Sequence, residues 1–124
     1  MKRKIIISSI IFLFSLYFIK LLVPKLRIDG YYSLLCELTS TDSENTRYAE
    51  DYTDKKFLSL KNGMTESQVI GVIGKPISIW NNSKIKGEYI LMYSESPTGQ
   101  DYRMRKVMIK DSIVVNVFGF YYND

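Results

Sequence analysis

The run from Ile5 to Val23 constrains this chain most. It holds 19 residues and is interrupted only by Ser8, Ser9, Ser15 and Lys20. As a helix it is about 28 Å long, close to the ~30 Å hydrocarbon thickness of a bilayer. Lys2, Arg3 and Lys4 precede it. Lys20 lies near its far end, where a long stem lets the ammonium reach headgroups. Tyr17 and Phe18 fall near the same interface. Pro24 predicts the helix end. Residues 1–24 therefore read as a transmembrane signal-anchor, with membrane lipid as the first partner. A cleaved signal peptide shares the charged start and apolar run, but the bulky, charged "KLLVPKLRIDGYYS" offers no small-x-small cleavage site. The uncleaved anchor is the favoured reading, and export after cleavage is the alternative. Attachment of lipid to Cys36 is rejected. Leu35 is too large to precede a lipidated Cys, and Pro24, Lys25, Arg27 and Asp29 separate Cys36 from the apolar run. Three cations and the amino group before the span, against Lys25 and Arg27 after it, bias the N-terminus slightly toward the cytoplasm.

The formal charge of +4 belongs to that segment. Residues 1–27 hold six cations and no acid, whereas the rest hold 11 cations and 13 acids. A nucleic-acid partner, which needs a basic face on the folded part, is not expected. The chain has no His and one Cys. This excludes a His-based triad, a Cys/His zinc site and an internal disulfide. Cys36 is read as a small, semi-apolar residue.

Residues 28–54 carry seven acids and one Arg. Their "TSTDSENT" stretch reads as loop, and residues 25–54 as an acidic linker, a solvated spacer between anchor and domain, with folding back onto the mildly basic domain as the alternative. "YYSLLCEL" within it suits a short helix or docking segment. Residues 55–124 carry ten cations and six acids and are patterned for a fold. "KGEYILMYS" (86–94), "DYRMRKVMIK" (101–110) and "SIVVNVFGFYY" (112–122) predict three strands. Asp111-Ser112 predicts a tight turn between the last two, and "SESPTGQ" a longer hairpin loop. Neighbouring strands with short links pair antiparallel.

Before the strands lies "LKNGMTESQVIGVIGKPISIW". Thr65 and Gln68 have capping-box spacing, and Met64 with Val69 forms a hydrophobic staple. Val69, Val72 and Ile73 share one helix face. Gly74 and Pro76 close the helix. Upstream, Thr53 or Asp54 caps a first short helix with Phe57 and Leu60 on its apolar face, and Gly63 turns the chain into the second. Two short helices followed by a three-stranded antiparallel sheet give an α+β fold, ααβββ. The glycines end a helix, so the stretch is not a phosphate loop. The second helix carries no Arg, which disfavours a DNA-reading role. Trp80 is expected at the helix–sheet junction. Asn81-Asn82-Ser83 is expected to turn before the strand, although it matches the glycosylation sequon. Arg103, Arg105, Lys106 and Lys110 are expected to form a solvated basic strand face.

The motif resembles the signature of the SmpA/OmlA (BamE-like) family of small bacterial envelope proteins. Leu60, Gly63, Met64, Thr65, Gln68, Val69, Gly74 and Pro76 carry the resemblance, which covers about residues 55–121. It implies two helices on a three-stranded antiparallel sheet and an extracytoplasmic location. It also implies a non-enzymatic binding or scaffold role, in outer-membrane or envelope assembly. The chain departs from the best-known members by having an apolar span where they have a lipobox. The expectation is a single-pass inner-membrane protein with its C-terminal domain outside the cytoplasm and another envelope protein as partner. The secreted form would be periplasmic. An inhibitor- or immunity-like protein that binds a secreted enzyme is the alternative. Val114, Phe118 and Phe120 alternate along the last strand and mark a candidate partner surface, since a sheet covered on one side needs only one apolar face. Glu66, Glu88, Glu95 and Asp101 are the available acids or bases, and they form no spaced pair, so no catalytic, metal or cofactor site is expected.

Overall fold

The first element runs straight through its proline. In the computed structural model, which describes residues 2–39, 44–81 and 84–123, helix α1 spans Lys2–Thr39 with Pro24 inside it. The helix was expected to stop at Pro24. A proline costs a helix one hydrogen bond and forces a bend, but it need not end a helix that is held on both sides. The true break is at Gly30, with φ 71° and ψ −179°, a conformation suited to glycine. The Ile5–Thr39 stretch is long and apolar enough to cross a membrane, and the apolar window within it is wholly unburied. A membrane anchor and a signal sequence both fit that description.

Beyond Lys25, α1 is no spacer. Asp29 before the break at Gly30, and Ser33 and Cys36 after it, are buried. Here α1 packs on strand β6 (Ile113–Tyr122). Ile28 closes against Gly119, where a Cβ would stand 2.5 Å from Ile28 Cγ2. Asp29, Ser33, Cys36 and Ala49, all buried, do not fit the expected solvated spacer and fit its alternative, a segment folded back onto the domain. Ser40–Ser43, within the expected loop, lie outside the description.

Two short helices follow. α2 (Asp54–Ser59) is capped by Thr53, whose hydroxyl accepts from the Lys56 amide at 3.2 Å, and buries Phe57. α3 (Glu66–Ile73) buries Val69 and Ile73. The main sheet has four strands in the order β2-β3-β5-β6, all antiparallel. They are β2 (Ser78–Asn81), β3 (Glu88–Met92), β5 (Tyr102–Lys110) and β6. The expected three-stranded sheet gains β2, because the "SIWN" stretch after Pro76 pairs with β3. Asn82 and Ser83 of the expected turn lie outside the description. A separate pair joins β1 (Arg47–Tyr48) to β4 (Ser94–Glu95).

The helices cover one face of the sheet. Phe57, Leu60, Val69 and Ile73 meet Leu91, Tyr93, Val107, Ile109 and Val114 in the core. Asp111 and Ser112 both take positive φ, 49° and 65°, and make the two-residue turn expected between β5 and β6. Just beyond, the register slips. Ile109 pairs with Val114 but Met108 pairs with Asn116, leaving Val115 as a bulge. The extra residue restores Val117 to the core side.

Candidate functional site: a buried clamp and an open sheet face

The expected motif residues all serve the fold. The Thr65 amide donates to Gln68 Oε1 at 2.8 Å and the Gln68 amide donates to Thr65 Oγ1 at 3.2 Å, a complete capping box. Met64 packs against the core cluster to which Val69 belongs. Leu60 is buried at the end of α2. Gly74 closes α3 at φ 85°, and its carbonyl accepts from the Tyr93 hydroxyl at 2.9 Å. Pro76 follows in the link to β2. Gly63, at φ 89°, lets the turn reach the edge of β6. There its amide donates to the Val114 carbonyl, and the Val114 amide donates to the Met64 carbonyl, both at 2.8 Å.

The first notable site is ionic and buried. β5 directs Arg103 and Arg105 to the helix-covered face, in line with Val107 and Ile109. The solvated face expected for these two arginines is therefore wrong. Their side chains are 1% and 0% exposed, and Asp29 between them is 0% exposed. Arg105 donates from Nη1 to Asp29 Oδ1 at 2.6 Å and from Nη2 to Oδ2 at 2.9 Å, a two-pronged pair. Arg103 donates from Nη1 to Asp29 Oδ2 at 2.6 Å, from Nε to Glu44 at 3.1 Å, and from Nη2 to Glu37. The Tyr52 hydroxyl accepts from Arg105 Nε at 2.8 Å and donates to Asp54 at 2.6 Å. Tyr52 stacks on Tyr48, with ring centroids 4.6 Å apart. Burial alone would pull both guanidiniums down, but the Asp29 hydrogen bonds and surrounding negative charge outweigh it and hold both above their usual range. Burial also pushes the Tyr48 hydroxyl up to about 12, and the Tyr52 hydroxyl higher still, against the opposing pull of Arg105. Asp29, Glu37 and Glu44 of the expected linker are thus counter-ions of the sheet, and Asp29 and Glu37 join α1 to β5.

The second notable site is the opposite sheet face. Directly paired residues share a face, so the registers place Trp80, Ile90, Met108 and Asn116 in one row. Ser78, Met92, Lys106 and Phe118 form the next, followed by Met104 with Phe120 and Tyr102 with Tyr122. Met92 and Met104 are buried at its centre. Its margins are open: Trp80 is 55%, Phe120 41% and Tyr122 39% exposed. Lys106 Nζ lies 5.4 Å from the centre of the Trp80 ring and 5.9 Å from that of Phe118. Partial burial pulls its ammonium down. Trp80, expected to pack at the helix–sheet junction, is instead a surface residue of β2. Of the expected partner surface, Phe118 and Phe120 lie on this face. Val114 does not: it is 1% exposed and belongs to the core. The bulge at Val115 separates it from the two phenylalanines.

The candidate acids are committed elsewhere. Glu66 accepts from the Tyr89 hydroxyl and Glu95 pairs with Arg47. Asp101 is buried, and its carbonyl accepts from the Asn45 amide at 2.9 Å. Cys36 is a buried free thiol. Among the described residues no group of three or more His, Cys, Asp or Glu is placed to hold a metal ion. No family model, no curated protein and no solved structure matches this chain.

Proposed function

We propose that this protein is a single-pass, membrane-anchored binding module of the bacterial cell envelope, with its C-terminal domain outside the cytoplasm. The partner is another envelope protein, which docks on the open sheet face. One observation carries the reading. The helices cover one side of the sheet, and the other side exposes Trp80, Phe120 and Tyr122 around a buried methionine centre. A contiguous aromatic patch with Lys106 set among its rings has the composition of a protein-docking surface. The long apolar helix and its flanking cations support the anchor. The likeness of Leu60–Pro76 to the SmpA/OmlA motif supports the envelope location.

The test uses the tagged, full-length protein in its native membrane, with photocrosslinking residues placed singly at Trp80, Phe120 and Gln68. Adducts of one size are expected from Trp80 and Phe120 and none from Gln68, on the helix side. The pair Trp80→Ala and Phe120→Ser should remove the partner while leaving the far-ultraviolet spectrum unchanged. A folded double variant that keeps every adduct would refute the docking role.

A further inference from the structure

Among the described residues, the edge of β6 is paired at its start, and after the bulge no strand but β5 pairs with it. The Gly63–Thr65 turn pairs with Ile113 and Val114 there. β6 is the last strand of its sheet, so beyond the bulge its alternate N–H and C=O groups point away from β5. Beside them runs a groove of about 330 Å³, lined in part by Arg27, Ile28, Leu58, Val117, Phe118 and Gly119. Val117 lies on the helix-covered face and Phe118 on the opposite one. The groove therefore straddles the strand edge, where a chain lying alongside β6 would have its own alternating side chains. Its lining side chains are apolar except for exposed Arg27, and no acid lines it among the described residues.

We infer that the open edge of β6 accepts an extended segment of a partner protein as a fifth strand. An apolar side chain of that segment sits between Ile28 and Leu58, and a carboxylate pairs with Arg27. Main-chain pairing supplies affinity in such strand addition, and the pocket and the cation supply selectivity. The inference rests on reading the chain as a protein-binding module, and it names the class of partner: an alternating apolar segment with an acidic residue or a free C-terminus.

The experiment uses the full chain in lipid nanodiscs and a panel of synthetic octapeptides that alternate an apolar residue with threonine and end in glutamate. At least one should bind saturably by fluorescence anisotropy and slow amide exchange over residues 116–122 by tenfold or more. Methylating one alternate set of peptide amides should abolish binding, and methylating the other set should spare it. Arg27→Ala should weaken the carboxylate peptide about fivefold, as a solvent-exposed charge pair implies, and leave its amidated counterpart unchanged. Three results would overturn the inference: no slowed exchange at 116–122 with any peptide, equal effects of the two methylation sets, or protection of the edge by a second copy of the chain without peptide. If the edge fails while Trp80→Ala and Phe120→Ser still remove the partner, the strand inference falls and the open-face reading stands. If those variants also leave the partner in place, both fall.

Discussion

Replacing Asp29 by Asn removes one negative charge from between two buried guanidiniums and keeps the side-chain shape. Arg103 retains Glu37 and Glu44. Arg105 loses both of its short ionic contacts and keeps the Tyr52 hydroxyl, the Met104 carbonyl, Asp54 at 3.7 Å, the Phe57 ring and one neutral acceptor in the Asn carbonyl oxygen. The Asn amide also turns a donor toward guanidinium donors. Breaking a buried pair from one side costs roughly 3–5 kcal/mol, because the stranded charge stays desolvated. A domain of this size loses roughly 4–8 °C of melting temperature per kcal/mol, so Asp29→Asn should lower it by about 12 °C or more. Thermal unfolding of the full chain in detergent, followed by near-ultraviolet circular dichroism, gives the magnitude. Amide exchange over residues 31–39 locates the damage, which should be faster there than in β3. Asp29→Leu combined with Arg105→Met should recover at least half of the loss, since it removes the stranded charge along with its partner. If Asp29→Asn costs less than about 1 kcal/mol, or the double variant is no better than the single, then water reaches the pair and the clamp does not hold α1.

Two further outcomes follow from the packing. Gly119→Ala would place a Cβ 2.5 Å from Ile28 Cγ2 and 3.0 Å from the Met104 carbonyl oxygen. Overpacking of that kind costs about 1–3 kcal/mol and should appear as a lower denaturant midpoint with an unchanged slope. The raised hydroxyls of Tyr48 and Tyr52 make the fold alkali-sensitive. Their unfolded value is about 10, so their contribution is whole below pH 10 and is lost as pH climbs toward 12, where the unfolded chain has released the protons. Tyrosinate absorbance at these two positions should emerge together with unfolding. Its smooth appearance at pH 10 in a folded protein would contradict their burial.

The features legible in the sequence were local. Thr65, Gln68, Gly74 and the Asp111-Ser112 turn specify their geometry within a few residues, and the structure has each of them. Distant partners decide the rest. Arg103 and Arg105 share the period-two register of Val107 and Ile109, which assigns them to the core face. Charge alone argued for solvent, and only the return of α1 with Asp29 makes their burial affordable. β2 is four residues long and has a strand pattern only against β3. Val115 is one more valine in an apolar run, so the slip that separates Val114 from Phe118 and Phe120 leaves no mark in composition. The open face itself was half legible. Phe118 and Phe120 were visible as an alternating pair, and Trp80 joined them only once β2 entered the sheet.

Asp29 lies one residue before the break at Gly30, on the same uninterrupted helical stretch as the apolar span. On the proposed anchoring, this makes the domain a rigid extension of its own stalk and not a weight on a string. The aromatic face then has a preferred height and bearing relative to the bilayer. A partner held in the same membrane meets it only when both present matching orientations, so encounter becomes a two-dimensional alignment problem. Loosening the joint at Asp29 would widen the angles at which partners engage and weaken each engagement.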